Sequence, residues 1–262
     1  MSRCQEKAPI LRNACLQGSY YRVDLRAPGV VPQVLPGQFV HVQLPDFEQH
    51  VLRRPFSVFN VDEASGTLSL IYKIVGEGTA RLAQLGEGVC LDLMGPLGHG
   101  YSEPPAGQKL VVVAGGYGCA ATYLLVRRSP PPSVVCLGGR TAEDLLLVHE
   151  FRALGSAVHL ATDDGSLGHR GVVTELLEQV LDREPRPFVV ACGPNPMLKA
   201  VCRIVAARGL QAEVSLDHVM CCGVGACFAC VVKLKADNAA GWEYVRTCKS
   251  GPVFQASQVV WE

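Results

Sequence analysis

Five cysteines lie close together near the C-terminus of the chain. Four of them form a C-x4-C-x2-C run with a more distant fourth member: Cys222, Cys227, Cys230 and Cys248. Four thiolates suit iron-sulfur ligation, and this spacing is that of plant-type [2Fe-2S] ferredoxins. Gly223 and Gly225 let the backbone wrap closely round an inorganic core and direct amide groups at its anionic sulfides. The spacing therefore predicts a [2Fe-2S] cluster on these four cysteines.

Two other interpretations of the cysteines stay open: a structural zinc site and a region without metal. Zinc loops usually pair two C-x2-C knuckles, and only Cys227 and Cys230 have that spacing. Cys221 could in principle replace Cys222 as a ligand. Because the C-x4-C spacing belongs to Cys222, we expect Cys221 to be a small apolar neighbour. The scattered cysteines are expected to be core residues, except Cys192, whose thiol would lie near a nicotinamide.

Two segments of the N-terminal half carry groups suited to a flavin nucleotide. Residues 53–57, with the sequence RRPFS, follow a predicted strand. Arginine there supplies a fixed charge for a pyrophosphate, and the serine supplies a hydroxyl for a flavin or phosphate. In residues 71–79 a strand ends at a glycine-rich turn that opens a predicted helix over 79–85, whose first amides could bind an anion. Alone, each segment also fits an ordinary strand edge or turn.

Two further turns are candidates for binding a nicotinamide dinucleotide. The first predicted strand of a parallel sheet ends in a glycine turn that permits a tight bend and close approach of a dinucleotide, although the full G-x-G-x-x-G pattern is absent. A later strand ends in a Cys-Gly-Pro segment at the same carboxyl edge, where open parallel sheets bind ligands. The predicted NAD contacts are Gly115, Gly116, Gly118, Cys192, Gly193 and Pro194. Arg140 could meet the 2′-phosphate of NADP or be a surface charge.

The elements that must position these residues fall into three regions. Residues 1–103 contain short alternating strands separated by Gly and Pro, which predicts an antiparallel β-barrel. Because both flavin segments lie in it, this region is the candidate FAD domain. Residues 104–212 alternate strands with helices, which predicts a doubly wound parallel-sheet nucleotide domain. Residues 213–262 are expected to form a small C-terminal [2Fe-2S] subdomain. Helices are expected over 120–127, 141–154, 172–181 and 196–207, the second opened by a capping Thr141.

Composition excludes several classes of function. The chain has 262 residues, with 24 Lys and Arg against 24 Asp and Glu, and only 6% aromatic residues. A nucleic-acid binder normally has a basic excess or stacking aromatics, so we do not expect this chain to bind nucleic acid. The uncharged run over 110–126 is short for a membrane span and is interrupted by glycines. Residues 1–11 carry charges and lack an apolar signal core, so we expect a soluble cytoplasmic protein.

Taken in order, these segments resemble the electron-transfer subunit of type B dihydroorotate dehydrogenase, within the ferredoxin-reductase-like superfamily. The resemblance covers nearly the whole chain, and its most specific parts are residues 54–57, 76–79, 162–166, 214–218, 222–227 and 248–254. It implies FAD bound by Arg54, Pro55, Phe56, Ser57, Ile71, Tyr72, Lys73, Gly78 and Thr79. The interval between Cys230 and Cys248 is longer than the family pattern, and we expect a surface loop to absorb it.

The resemblance also implies an electron route in de novo pyrimidine (UMP) biosynthesis. Electrons from dihydroorotate would reach the FMN of a separate catalytic subunit, then the [2Fe-2S] cluster, the FAD and finally NAD+. Two copies of each subunit would form a heterotetramer. Because a cluster must lie near a surface for electrons to leave it, we expect the C-terminal region to contribute to the partner interface. This chain would hold no dihydroorotate site and no catalytic side chain, because the isoalloxazine carries the chemistry. His218, just before the cluster, is expected to be structural, or else to face the partner or tune the cluster.

Two alternative functions fit the same segments. One is the small subunit of an NADH-dependent ferredoxin:NADP+ oxidoreductase or sulfide dehydrogenase, which would pair with a different flavoprotein. The other is a non-enzymatic regulatory module that carries zinc or a cluster and only docks to a partner. The identity of the partner separates the first from the dihydroorotate route, and the presence of flavin excludes the second.

Overall fold

The N-terminal part of the chain folds into a closed antiparallel barrel. The computed structural model describes residues 4–45, 52–216 and 219–261. The barrel strands are β1 Cys4–Gln17, β2 Tyr20–Arg26, β3 Phe39–Gln43, β4 Arg54–Asp62, β5 Thr67–Lys73 and β6 Cys90–Leu97, and the helix α1 Glu77–Ala83 connects the last two. Around the barrel they pair in the order β1-β2-β5-β4-β3-β6, with β6 closing on β1. The predicted barrel is confirmed.

Side chains of β3 alternate between the barrel interior and its outer surface, as a pleated strand requires. Val40 and Val42 belong to the core inside the barrel. Phe39 lies outside that core and packs on the C-terminal region. His41, two residues further along, is on the same outer face and is fully buried. This outer face of β3 is therefore covered by other parts of the chain.

The second half of the chain forms a seven-stranded sheet covered by helices on both faces. Its elements, with those of the C-terminal region, are β7 Lys109–Gly115, α2 Gly118–Arg128, β8 Val134–Gly139, α3 Val148–Ala153, β9 Ala157–Thr162, β10 His169–Arg170, α4 Val173–Leu181, β11 Pro187–Cys192, α5 Asn195–Ala207, β12 Ala212–Ser215, β13 Val231–Lys235, β14 Trp242–Arg246, α6 Thr247–Ser250 and β15 Val253–Gln255. The strand order is β10-β9-β8-β7-β11-β12-β15, parallel except for β15. The doubly wound sheet is confirmed.

Alternation along β7 explains why both faces need helices. Val111 and Val113 join the core that contains α4 and α5, whereas Val112 joins the core that contains α2 and α3. A strand apolar on both faces must be covered on both, which is the usual state of parallel sheets. On one side α2 also contacts the barrel, where the rings of Tyr123 and Phe59 lie 4.6 Å apart. The barrel and the sheet are therefore packed through α2.

The helix predicted over residues 141–154 is wrong. The structure has a 3-10 turn at Ala142–Asp144, then an extended stretch, then α3, which begins only at Val148. Leu145, Leu146 and Leu147 are all buried, and Leu147 has a φ of 60°. Three consecutive buried side chains cannot share the apolar stripe of one helix, because that stripe recurs every three to four residues. The chain opens here so that all three can reach the core.

The C-terminal region is attached to both larger units. β12 and β15 extend the parallel sheet, while β13 and β14 form a separate hairpin. The proposed boundary between residues 212 and 213 falls inside β12. The long interval between Cys230 and Cys248, expected to be a surface loop, is mostly this β-hairpin. Among the described residues, no helix has the length and apolar character needed to cross a membrane.

Candidate functional site

The C-terminal region brings the predicted cluster ligands to one place. Cys222, Cys227 and Cys230 lie on an irregular loop before β13, and Cys248 lies in α6. The N–H of Thr247 donates to the carbonyl of Cys230 at 2.9 Å, which ties α6 to the end of the loop. Burial and then the neighbouring thiols of Cys230 and Cys222 raise the pKa of Cys248. The thiols of Cys230 and Cys222 are thus close enough to influence that of Cys248, and the Cys227 thiol in turn influences Cys222.

Main-chain N–H groups converge on the sulfur of Cys222. The N–H of Ala226 lies 3.3 Å from Cys222 Sγ. Burial raises the pKa of Cys222, but hydrogen bonds from the backbone, that of Val224 foremost, outweigh burial and lower it to about 6. Gly223 and Gly225 have φ values of 67° and 87°, a conformation that favours glycine. A thiolate surrounded by inward-facing amides fits an anionic iron-sulfur core.

Two buried polar side chains beside the loop also fit a bound group. Both ring nitrogens of His41 and the hydroxyl of Thr247 are buried and have no hydrogen-bond partner among the described residues.

Cys221 lies close to one of the predicted ligands, because burial and then the Cys227 thiol raise the pKa of Cys221. Within the described part of the chain, no three His, Cys, Asp or Glu side chains form a site for a single metal ion. A two-iron cluster instead divides its ligands between two iron atoms.

The cluster loop packs directly on the barrel. One small apolar cluster contains both barrel and loop residues: Phe39, Leu97, Met220, Cys230 and Cys248. In the ladder between β3 and β4, Phe39 is paired with Ser57 and His41 with Pro55. Directly paired residues share one face of a sheet. The predicted cluster ligands Cys230 and Cys248 therefore pack on the outer face of the barrel to which the predicted flavin residues Pro55 and Ser57 also belong.

The two arginines of the RRPFS segment have different surroundings. Arg53 forms an ion pair with Asp92 at 2.7 Å and also donates to the Asp92 carbonyl, so it holds β4 to β6. Arg54 lies instead against the first turn of α1, where a Cβ on Gly78 would come within 2.5 Å of Arg54 Nε. Glycine at 78 is what allows the guanidinium to lie there. Arg54 also donates to the Leu52 carbonyl at 2.6 Å, and its guanidinium is a fixed positive charge beside this segment.

The turn before α1 is closed by the Thr79 side chain. Its hydroxyl accepts hydrogen bonds from the N–H of Val75 at 2.9 Å and of Gly76 at 3.2 Å, and donates to the carbonyl of Gly76 at 3.0 Å. Thr79 is predicted to contact FAD; its hydroxyl shapes the turn, and the helix begins at Glu77 rather than at the predicted Thr79. The turn brings Gly78 and the Arg54 guanidinium together.

A gap in the barrel ladder lies between the two predicted flavin segments. Pairing of β4 with β5 ends at Val58 and Leu70, so in the described ladder residues 71–73 pair only with β2. Residues 54–57, on the other side, pair with β3 through residues 39–42. The main-chain groups that face the gap are available to a ligand. A planar group held by backbone groups on both sides suits this gap.

The side chains of residues 71–73 contact other parts of the protein. Ile71 is buried in the core shared with the sheet. The buried hydroxyl of Tyr72 donates to Asn13 Oδ1 at 2.9 Å, and Lys73 Nζ donates to the hydroxyl of Tyr20 at 3.0 Å. The ring of Phe56 lies against Tyr72, with centroids 5.9 Å apart. A flavin contact from these three residues would therefore use the main chain.

The two predicted nicotinamide turns are in contact at the carboxyl edge of the sheet, because β7 and β11 are neighbours. A Cβ on Gly118 would lie 2.4 Å from the carbonyl oxygen of Cys192, and one on Gly115 would lie 2.8 Å from Pro194 Cδ. Gly193 is equally tight, since its Cβ would lie 3.0 Å from the Gly115 nitrogen. Gly116, between them, has a φ of 54°. Only glycines allow this close approach.

A polar network that sequence reasoning missed joins the barrel to this edge. Asp144 accepts hydrogen bonds from the Tyr20 hydroxyl at 2.5 Å and from Lys73 Nζ at 3.2 Å. Burial raises the pKa of Asp144, but the bonds from Tyr20 and Lys73 outweigh it, and the net shift is downward. The one sequence signal was the position of Asp144, shortly after the second parallel strand.

Arg140, the candidate contact for a 2′-phosphate, is 79% exposed, and its Nε lies 3.7 Å from Asp144 Oδ2. His218 is outside the described residues.

Comparison with known proteins assigns the chain a class. Residues 13–101 match the oxidoreductase FAD-binding domain family. Residues 217–260 match the iron-sulfur cluster binding domain of dihydroorotate dehydrogenase B. A chain of an NADH-dependent reduced ferredoxin-NADP oxidoreductase superposes with a TM-score of 0.84 at 27% identity, covering 98% of this chain and 90% of that one. The fold and the site define a ferredoxin-reductase-like oxidoreductase with FAD and an iron-sulfur cluster. The zinc and regulatory-module interpretations are therefore wrong.

Curated relatives identify the family within that class. The electron transfer subunit of dihydroorotate dehydrogenase B (NAD+) from Desulforamulus reducens is 38% identical over 92% of this chain and 93% of its own length. The subunit of the same name from Enterococcus faecalis is also 38% identical, over 99% of this chain and all of its own length. The chain belongs to the family of electron-transfer subunits of dihydroorotate dehydrogenase B.

Proposed function

We propose that this chain passes electrons from the FMN of a dihydroorotate dehydrogenase catalytic subunit through a [2Fe-2S] cluster to FAD, and from FAD to NAD+, in pyrimidine biosynthesis. One observation carries the proposal. The loop with the cluster cysteines packs on the outer face of β3, whose Phe39 is paired with Ser57 of the flavin segment. The two cofactor regions are thus neighbours across a single strand pair.

Separate sets of residues would hold the FAD and the cluster. Arg54 would neutralise the FAD pyrophosphate beside Gly78 and Thr79, and the main chain of residues 55–57 and 71–73 would hold the flavin in the ladder gap. The cluster ligands would be Cys222, Cys227, Cys230 and Cys248. When bound, FAD exchanges electron pairs with a nicotinamide as hydride and single electrons with an iron-sulfur cluster. The side chains hold and orient these groups, and none acts as a catalytic acid or base.

The sheet edge would receive the dinucleotide. The turn after β7 has no side chains at Gly115, Gly116 and Gly118, so a dinucleotide could approach its main chain closely. The turn packed against it contains Cys192, Gly193 and Pro194. The relatives' name specifies NAD+. Arg140, the candidate for a 2′-phosphate contact, has the Asp144 carboxylate beside it. A carboxylate there repels a 2′-phosphate, which favours NAD+ over NADP+.

The partner would be an FMN-containing catalytic subunit, in a complex with two copies of each chain in the cytoplasm. The relatives are named as electron transfer subunits, which supports a catalytic partner subunit. Next to the cluster loop, Val219 is 85% exposed and Phe228 is 58% exposed, and Phe228 is held by Arg246, whose guanidinium lies 4.5 Å from the ring centroid. Exposed apolar groups beside the cluster suit an interface across which electrons must travel.

The test is the absorption spectrum of the anaerobically purified chain before and after addition of NADH. We expect flavin bands above a broad iron-sulfur background, and loss of both on addition of NADH. Iron, sulfide and FAD are then quantified in the same sample. A chain that stays colourless after reconstitution with FAD, iron and sulfide would overturn the proposal. If NADH bleached the flavin while the cluster stayed oxidised, the result would contradict electron transfer between the two cofactors.

A second candidate is the small subunit of an NADH-dependent ferredoxin-NADP oxidoreductase, because a chain of such an enzyme shares the whole fold at 27% identity. The two functions differ in the large subunit. Affinity purification of the tagged chain from its own cells, followed by mass spectrometry, decides between them. An FMN-containing dihydroorotate dehydrogenase supports the first function, and a larger pyridine-nucleotide flavoprotein supports the second.

A further inference from the structure

His41 is a buried histidine whose polar groups no other part of the described chain satisfies. Its side chain is fully buried on β3, and neither Nδ1 nor Nε2 has a hydrogen-bond partner among the described residues. Buried polar groups in native proteins are nearly always paired. A buried imidazole with both nitrogens unpaired therefore indicates a partner that is not part of the polypeptide.

The surroundings of His41 show where such a partner would lie. A Cβ on Gly223 would come within 2.7 Å of Cε1 and Nε2 and within 2.8 Å of Nδ1, and these nearly equal distances place Gly223 of the cluster loop over the face of the imidazole ring. Gly223 directly follows the cluster ligand Cys222. In the β3–β4 ladder, His41 is paired with Pro55 of the flavin segment. The imidazole is thus enclosed between the flavin strand and the cluster loop.

The imidazole is in its neutral form in this environment. Burial and then the charge of Arg53 lower the pKa of His41 to about 4. A neutral imidazole carries one N–H donor and one acceptor nitrogen. The sulfurs of an iron-sulfur cluster accept hydrogen bonds, and hydrogen bonds to those sulfurs are among the factors that set the reduction potential.

We propose that His41 is a positioning residue for the cluster: its ring N–H donates a hydrogen bond to a cluster sulfur and so raises the reduction potential of the cluster. The direction follows because the reduced cluster carries one more negative charge, and a donor stabilises the more negative state. The same contact fixes the cluster loop against the flavin strand. The inference rests on ligation of the cluster by the loop cysteines, as proposed above.

The first test is spectroscopic and uses the FAD- and cluster-loaded full chain. Protein labelled with 15N-histidine is reduced, and pulsed EPR measures 15N hyperfine coupling to the cluster spin. We expect a coupling that is present in the wild-type chain, absent in His41→Leu and retained in His149→Leu, a matched change at an exposed histidine. A cluster signal without 15N coupling in the wild-type chain would overturn the inference, even if His41→Leu fails to fold.

The second test is the midpoint potential of the cluster from an EPR-monitored redox titration. We expect a shift to a more negative potential in His41→Leu, partial recovery in His41→Gln, which restores an N–H donor, and no shift in His149→Leu. A wild-type potential in cluster-loaded His41→Leu would refute the role of His41 and leave the proposed function intact. A shift in the flavin potential alone would assign the N–H to FAD instead. Absence of any cluster in the wild-type chain would refute the proposed function itself.

Discussion

Substitution of Gly118 by alanine should damage the nicotinamide edge while leaving the flavin and the cluster in place. Gly118 is the first residue of α2, and its added Cβ would lie 2.4 Å from the Cys192 carbonyl oxygen, 2.7 Å from the Cys192 carbonyl carbon and 3.0 Å from the Gly193 nitrogen. All three are main-chain atoms at the end of a central strand, and they cannot rotate away as a side chain can. The turn after β7 must therefore move away from β11.

The expected cost follows from two opposing effects. Overpacking of a tight site destabilises a protein by about 1–3 kcal/mol. Alanine in place of glycine in a helix recovers about 0.5–1 kcal/mol. The free energy of unfolding should fall by a net amount of about 0.5–2 kcal/mol, which for a chain of this size lowers Tm by a few degrees. If about 1.4 kcal/mol of dinucleotide binding is lost as well, KM for NADH rises about tenfold.

The assay is NADH oxidation with an artificial electron acceptor, together with thermal unfolding and FAD and iron content. Gly86→Ala is the matched control, since no atom lies within 4 Å of its added Cβ. We expect Gly86→Ala to behave as wild type in all four measurements. A Gly118→Ala chain with wild-type Tm and wild-type KM for NADH would show that the β7 turn does not bind the dinucleotide and that the close approach is not a constraint.

Three further changes test other parts of the site. Gly78→Ala should push the adjacent guanidinium aside and raise the Kd for FAD about tenfold in fluorescence titration, whereas Gly76→Ala, with no atom within 4 Å, should leave it unchanged. Tyr20→Phe removes a hydrogen bond to a carboxylate and should lower the free energy of unfolding in urea by about 1.5–3 kcal/mol; an unchanged value would show that the network does not hold the barrel to the sheet. Cys222→Ser should abolish the iron-sulfur absorption, and Cys221→Ser should retain it; the reverse outcome would exchange the two residues as ligands.

Features encoded over short stretches of the sequence could be predicted well. The cysteine spacing from Cys222 to Cys230 and the glycines between them specify a loop by themselves, because the ligands and the backbone conformations they need are local. The barrel and the doubly wound sheet were also predictable, since apolar periodicity changes where strands give way to alternating strands and helices. The short distance in space between the cluster cysteines and the flavin segment could not be predicted, because no local sequence pattern indicates it.

The features that only the tertiary structure determined are contacts between residues that are distant in the sequence. The contact of His41 with Gly223 and the link from Tyr20 to Asp144 join different regions of the chain, and no periodic pattern marks either pair. The helix predicted from Thr141 is broken because three consecutive leucines are all drawn into a core that includes other elements. Local sequence thus determines which residues can bind a cluster or begin a helix. Packing between the barrel, the sheet and the C-terminal loop determines which of them meet, because burial and hydrogen bonding are satisfied only in the assembled fold.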